Sequence, residues 1–346
     1  MAARACQAQA WLLVTDLDGT LVGHDQSLAA FNKVWLTLQR TCSVQLVFAT
    51  GRTIANCSDI MSQLPRPDFW ITACGAAITA SNSSSRIEKD WEAHILGAGW
   101  DRKRVVSLAE SVLGTLAVLG PDDEQTDLRV CLYCDPECVS RVTALLPELV
   151  ASCKASSTPV RAIFSQAVFL ELVPTRAGKG PAVAFLAERL GVLYENTIVC
   201  GDSGNDRDLL LEGGGGAVLV GNALPELRDA VLPELEDAAF EAAGCYAAGV
   251  IEGAAHFGLL PLIEEDQAAD ENNDQHSVAG PGTALTRSEL RRLCRESRLF
   301  YAGICKSKRA NDGDDGDAAG KRRRTTDESA SRDINEHVES VHLNKV

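Results

Sequence analysis

The sequence predicts an α/β protein: a doubly wound, Rossmann-like and mostly parallel sheet with an inserted α+β cap domain and a disordered carboxyl-terminal tail. Three observations carry this expectation. First, short apolar runs at Trp11–Thr15, Val44–Thr50, Phe69–Cys74, Thr197–Cys200 and Ala217–Val220 each run into a glycine or polar turn. Buried parallel strands read this way, apolar throughout and broken where the chain leaves the sheet. Second, segments of helical spacing alternate with them. Leu28–Arg40 brings Leu28, Phe31, Val34, Trp35 and Leu38 to one face, and Pro181–Leu190 and Asp206–Leu211 flank the fourth run. Third, the pattern changes between about Asn82 and Val173, where helix-like Asp101–Leu113 and Pro136–Cys153 mix with strand-like Leu128–Tyr133, Val160–Phe164 and Val168–Val173. An insert of that kind, beginning and ending beside sheet turns, is placed to close over a site at the strand ends.

The expected organisation is a core in two parts, residues 10–82 and 175–262, a cap at 83–174, and a low-complexity tail at 263–346. Within the tail, Glu264–Gly282 and Lys306–Asn335 are poor in large apolar residues and are expected to be disordered, with a short helix at Arg287–Tyr301 between them. A chain ending after Pro261 is accordingly expected to keep its activity. The basic run Lys321–Arg324 reads as a solvated charge cluster.

Composition narrows the function. With 45% hydrophobic and 23% charged residues over 346, the chain is of globular type, which excludes a collagen, a rod or a wholly disordered protein. The net charge is −15, and because residues 266–346 carry 14 basic and 15 acidic side chains, nearly all of the excess lies in the first 265. Such a field repels nucleic acid and anionic lipid, so neither is an expected partner. No apolar run approaches the roughly 20 residues that span a bilayer. The twelve cysteines follow no repeating framework, and Trp11–Thr15 is shorter than a signal-peptide core, so the chain reads as cytoplasmic with reduced thiols. Cys131, Cys134 and Cys138 lack a fourth ligand at finger-like spacing, and are read as thiols of a strand rather than as a zinc site.

The chemistry is concentrated in the strand-end turns. Asp16-Leu17-Asp18-Gly19-Thr20 sends two carboxylates from the exit of one buried strand toward one pocket, an arrangement that needs a cation. A hard divalent ion suits such oxygen ligands, and Asp202 can supply a further one. One carboxylate facing a phosphorus atom can attack it, while the other protonates the leaving alcohol and later activates water. Lys179, between two glycines ahead of a helix, can reach an incoming phosphate. Thr50 and Gly51 offer a hydroxyl and an open backbone N–H to phosphoryl oxygens. Gly201-Asp202-Ser203-Gly204-Asn205-Asp206 adds a metal ligand, an amide for phosphate and a supporting carboxylate. His24, His94 and His256 have no spaced acid or histidine partner and read as turn or surface residues. Trp91 and Trp100 read as packing residues, and Gly213–Gly216 as a loose helix end.

These four stretches, in this order, resemble the signature motifs of the haloacid-dehalogenase-like phosphohydrolases, and the insert between the second and third resembles the cap of the subgroup acting on sugar phosphates. Over about residues 10–260 the chain is most similar to the sucrose-phosphate phosphatase family, through Phe31-Asn32-x-x-Trp35, Phe48–Thr53, Asp90-Trp91, Gly99–Arg102, Ala177–Gly180, Asn196–Asp206, Ala248–Glu252 and His256-Phe257. The resemblance implies Mg2+-dependent hydrolysis of sucrose 6-phosphate to sucrose and phosphate through an aspartyl phosphate. It implies Asp16 as nucleophile and metal ligand, and Asp18 as acid/base and a backbone-carbonyl ligand. Asp202 would complete the Mg2+ set, and Thr50, Gly51, Lys179 and Asn205 would hold the phosphoryl group. Asp206 would orient Lys179 or a metal-bound water. The small-molecule partner is then a sugar phosphate and the protein partner sucrose-phosphate synthase. Two other readings stay open: a related enzyme such as a mannosyl-3-phosphoglycerate phosphatase, and a catalytically silent metabolite-binding or scaffold protein. Against the latter stand intact Asp16, Asp18, Lys179 and Asp202.

The chain departs from the family pattern in three places. Gly19 stands where the family has histidine. Ser165-Gln-Ala-Val-Phe-Leu-Glu171 replaces a Gly-Gly pair and an acidic residue, which makes Ser165, Gln166 and Glu171 the expected sugar contacts. A polar tail stands where plant-type members share a further carboxyl-terminal domain, so that domain is expected to be missing.

Overall fold

A computed structural model describes residues 10–82, 86–166, 168–235, 238–262 and 285–312. Its first unit follows directly from the amino-acid pattern. Strand β1 (Trp11–Thr15) and strand β2 (Val44–Ala49) pair in parallel, and helix α1 (Asp25–Thr41) crosses between them with Leu28, Phe31, Val34, Trp35 and Leu38 turned inward. Strand β3 (Phe69–Thr72) continues the parallel sheet, and β4 (Ala77–Ala80) turns back antiparallel before helix α2 (Arg86–Leu96).

The chain then leaves the sheet. Helix α3 (Arg102–Leu113), β5 (Ala117–Leu119), β6 (Val130–Cys134), helix α4 (Val139–Ala155), β7 (Val160–Ser165) and β8 (Phe169–Pro174) build the cap, an antiparallel sheet of order β5-β6-β8-β7. Its own small core is closed by Val105, Leu113, Val142 and Leu149 of the two helices against Leu132, Leu170 and Leu172. The chain returns through helix α5 (Lys179–Leu190), β9 (Thr197–Gly201), α6 (Arg207–Glu212), β10 (Gly216–Leu219), α7 (Pro225–Leu235), β11 (Ala239–Glu241) and α8 (Ala247–His256), and a last helix, α9 (Arg287–Asp312), follows.

The core sheet has seven strands in the order β11-β10-β9-β1-β2-β3-β4, with β1 at its centre. Register matters here more than strand count. Thr15 lies opposite both Phe48 of β2 and Cys200 of β9, so the three strands end level and the residues just beyond them emerge along one edge. Apolar side chains cover both faces. Leu13, Phe48 and Val218 meet α1 and α8 on one face, while Leu12, Val14, Val47 and Val199 meet α2, α5 and α6 on the other. Double coverage explains why the strands read as unbroken apolar runs. Among the described residues, no helix is long and apolar enough to cross a membrane.

Two boundaries differ from those expected. Helix α2, placed by sequence in the cap, sends Trp91 and Ile95 into the core layer, and Trp91 Nε1 donates to the Gly75 carbonyl at 3.2 Å. The cap therefore begins near residue 100. No helix is predicted by sequence over residues 86–96, which fall in the expected cap by position alone, and only the packing of Trp91 and Ile95 reveals their partner. In the tail, residues 287–312 form one helix, longer than the expected Arg287–Tyr301, and it packs on the core: Leu290, Leu293, Cys294 and Ser297 are buried at i, i+3, i+4 and i+7. The sequence shows apolar residues on a basic helix here but not the surface they pack on. The rest of the expected disordered tail, Lys321–Arg324 included, lies outside the described residues. His24, expected at a turn or the surface, starts α1 and is buried against this helix, its ring 4.8 Å from that of Phe300.

Phe31 is 1% exposed at the heart of the α1 layer. Phe31→Ala is expected to lower stability by about 3 kcal/mol or more, read from the midpoint and slope of urea unfolding.

Candidate active site

The level strand ends put the functional side chains together. At the end of β1, Asp16 N–H donates to the Cys200 carbonyl at 3.0 Å, which ties the first turn to the last residues of β9. Gly19 has φ +86°, and a Cβ there would stand 2.4 Å from Asp202 Oδ2. Glycine suits this positive φ and close approach, and a larger residue here would require the Asp202 carboxylate to shift. Thr20 Oγ1 donates to Asp202 Oδ1 at 3.1 Å and completes the join.

Lys179 opens α5, and its ammonium is wholly buried. Its three N–H groups go to Asp16 Oδ1 at 2.8 Å, Asp206 Oδ1 at 2.7 Å and Asn205 Oδ1 at 3.2 Å. The second oxygen of Asp206 accepts from the backbone N–H groups of Asp202 and Ser203 at 3.0 and 3.1 Å. Asp206 thus shapes the β9 turn and aims the lysine at once.

Three buried carboxylates, those of Asp16, Asp202 and Asp206, offer oxygens within 4.8 Å of one another. The cost is visible in their ionisation. Burial pushes Asp16 up to about 7, with Asp206 and Asp18 adding repulsion against the pull of Lys179. Burial, then Asp206 and Asp16, raise Asp202 well above the usual carboxylate range. Burial alone would lower Lys179, but Asp16 and Asp206 outweigh it and hold the ammonium protonated. Three acids around one base leave negative charge in a dry site, and hard oxygen donors of this kind suit a divalent cation.

Asp18 takes a different place. Its two oxygens accept from Arg52 Nη2 and Nε, both at 2.7 Å, and Arg52 also donates to the Asn56 carbonyl at 2.7 Å and to Asp59 at 3.1 Å. Of the expected metal set, Asp16 and Asp202 bring their side chains into the acidic cluster, and Asp18, expected to ligate through its backbone carbonyl, does not. The third carboxylate there belongs to Asp206, expected only in support, while the Asp18 side chain faces Arg52. Thr50 Oγ1 accepts from Arg52 N–H at 3.1 Å, and a Cβ on Gly51 would lie 3.2 Å from Asn205 Nδ2, so the second and fourth motifs meet.

A cleft of about 340 Å³ opens over Asp16, Asp18, Gly51 and Asn205. Its cap wall includes Ser165, Gln166 and Glu171, the three residues expected to contact sugar. Glu171 is buried and paired with Arg129 at 3.4 Å, and Arg129 also donates to the carbonyls of Gly51 and Glu124. Thr53 Oγ1 donates to the Asp123 carbonyl at 3.3 Å, and Arg161 pairs with Asp208 at 3.1 Å, so the cap touches the core through both pairs. Arg52 and Arg129 were given no role from sequence. Arg52 sits inside the Thr50-Gly-Arg string, and Arg129 is a lone charge just before the apolar strand β6, which is the kind of signal that marks a buried, partnered ion.

Level strand ends, a buried lysine shared by two acids and an inserted cap over the cleft define a haloacid-dehalogenase-like hydrolase fold. The chain belongs to the sucrose-6F-phosphate phosphohydrolase family, whose model matches residues 9–258. It is 34% identical over 270 residues to sucrose-phosphatase 1 of Nicotiana tabacum, covering 75% of this chain and 62% of that one. It therefore spans somewhat under two thirds of that relative's length. It is 31% identical over 252 residues to the mannosylfructose-phosphate phosphatase of Agrobacterium fabrum, covering 72% of this chain and 98% of the relative. The X-ray structure of the sucrose-phosphatase from Synechocystis sp. PCC6803 in complex with sucrose and phosphate superposes with a TM-score of 0.65 at 29% identity, over 72% of this chain and 98% of that one.

The Asp16 shift has a measurable sign. Its carboxyl ionises near 3.8 in ordinary surroundings and near 7 in the metal-free fold. A folded-state pKa raised in this way contributes stability below pH 4 and loses it as the pH climbs through 7. In EDTA, the melting temperature is expected to fall across this window, and Asp16→Asn is expected to flatten the decline.

Proposed function

We propose that this chain is a Mg2+-dependent phosphatase that hydrolyses sucrose 6-phosphate to sucrose and phosphate. The observation that carries the reading is the Asp16 carboxylate, held by a buried ammonium at the end of the central strand and opening on the capped cleft. Family membership gives the substrate class.

Asp16 is the nucleophile: its oxygen bonds to phosphorus as the bond from phosphorus to the sugar oxygen breaks. Asp18, on the same turn, is paired as a carboxylate with Arg52. It takes up a proton from solvent as the phosphate binds, gives it to that leaving oxygen and then takes one from the water that hydrolyses the aspartyl phosphate. The phosphate brings a second anion to Arg52, which loosens the guanidinium's hold on Asp18. Lys179, Thr50, the Gly51 N–H and Asn205 bind the phosphoryl oxygens, and Asp206 keeps Lys179 in place. Asp16 and Asp202 would hold Mg2+, with Asp206 in reach and the Asp18 backbone carbonyl as a further donor. Bound there, the ion offsets the charge of the phosphate against the carboxylates. Ser165, Gln166 and Glu171 present polar atoms from the cap to the sugar hydroxyls. The reading implies sucrose-phosphate synthase as the protein that supplies the substrate and the cytoplasm as the compartment.

A second reading has its own support. The Agrobacterium relative matches over 98% of its length, so mannosylfructose phosphate is the competing substrate. Phosphate release from sucrose 6-phosphate, mannosylfructose phosphate, fructose 6-phosphate and glucose 6-phosphate separates the two. Sucrose 6-phosphate is expected to give the highest kcat/KM, and equal rates across the panel would defeat the assignment. EDTA is expected to stop turnover and added Mg2+ to restore it. Asp16→Asn is expected to lower kcat by about 1000-fold or more with an unchanged far-ultraviolet circular dichroism spectrum.

A further inference from the structure

Helix α9 lies beyond the residues matched by the family model, yet it is joined to the turn that carries the two aspartates. Its start is well defined. Thr286 Oγ1 accepts from Glu289 N–H at 3.2 Å, and the Glu289 carboxylate accepts from Thr286 N–H at 2.8 Å, a reciprocal capping pair written in the sequence as Thr-x-x-Glu. From there the buried stripe Leu290, Leu293, Cys294 and Ser297 seats the helix on the core beside α8.

Three contacts continue inward. Ser297 is fully buried, and its hydroxyl accepts from Cys245 N–H at 3.1 Å while donating to the Cys294 carbonyl at 3.0 Å. Next to Cys245, Tyr246 holds a backbone conformation of φ 53° and ψ −144°, which a side chain of this size rarely adopts, so neighbouring contacts must hold it there. Phe300 and Tyr301 flank its ring at 6.4 and 6.2 Å, and the ring in turn lies against Gly23, where a Cβ would approach to 2.3 Å. Finally, Tyr246 N–H donates to Asn222 Oδ1 at 2.8 Å, and Asn222 Nδ2 donates to the Gly19 carbonyl at 2.7 Å. Gly19 sits between Asp18 and Thr20. The side chain of Asn222 is buried, and both of its ends are committed.

We propose that Asn222 is a positioning residue for the catalytic turn and that α9 is the support that keeps it so. The path runs from Ser297, Phe300 and Tyr301 through the strained Cys245-Tyr246 segment to Asn222 and the Gly19 peptide. An Asn222 fixed by Tyr246 N–H presents its amide donor to the turn and not its carbonyl. Losing the support allows the amide to rotate and the turn to shift. A displacement of that order is costly when a nucleophile must lie in line with a phosphorus atom. Removing the chain after Pro261, expected from sequence to be harmless, would on this account remove the support.

The effect on turnover rests on the phosphatase reading; the coupling of α9 to the turn does not, and the experiment separates them. Hydrogen exchange followed by mass spectrometry on full-length Ser297→Ala and Phe300→Ala proteins is expected to show faster exchange in peptides covering residues 16–24, with those covering 44–49 unchanged. Unchanged exchange in 16–24 would overturn the proposal even if the protein has no phosphatase activity. With sucrose 6-phosphate, Asn222→Asp keeps the acceptor for Tyr246 but loses the donor to Gly19. It is expected to lower kcat by roughly tenfold or more with KM changed less than about twofold. A wild-type kcat in this variant, or a loss confined to KM, would equally overturn it.

Discussion

Everything in the site depends on one buried ammonium. Lys179 is wholly buried, and its three protons go to Asp16, Asp206 and Asn205. An unpaired lysine in that position would have to give up its charge, and the carboxylates would have to take up protons. Because the ammonium is held charged by both acids, a single contact set ties the start of α5 to the ends of β1 and β9, which are far apart in sequence. The buried carboxylate oxygens of Asp16 and Asp202 make the same place receptive to a cation, and a cation together with Lys179 would then offset the charge of a phosphate.

The sheet makes that contact possible at modest cost. Strands β1, β2 and β9 end level, so the turns that follow them need only a few residues to bring Asp16, Gly51 and Asn205 to one cleft. The cap adds polar groups from the other side without disturbing this edge, since its strands and helices close their own core. The acidic cluster and the cap wall of the cleft are thus built on separate scaffolds, so one can change while the other is kept.

Much of this was legible in the amino-acid order, for a physical reason. A buried parallel strand announces itself as an apolar run, and the residues just past its end are the ones that meet a ligand, so Asp16, Thr50 and Asp202 could be placed without coordinates. Asp206 and Asn205 followed from lying on the same short turn. What could not be read is what depends on partners. The pattern of α2 is as compatible with a cap as with the core, and only the packing of Trp91 and Ile95 decides it. The apolar residues of α9 are visible in the sequence, but its contact with Tyr246 joins segments that no periodicity links. The pairing of Asp18 with Arg52 and of Glu171 with Arg129 likewise depends on side-chain reach across the cleft.

The central claim is that the carboxylate held by Lys179 is the group that takes the phosphorus. Acid quenching during steady turnover of sucrose 6-phosphate, followed by peptide mapping by mass spectrometry, examines that bond itself. The account predicts one phosphoryl group on the peptide that contains Asp16, removed by hydroxylamine and absent from Asp16→Asn. A phosphoryl group on another residue, or active enzyme that never carries one on Asp16 under conditions where breakdown is rate-limiting, would contradict it.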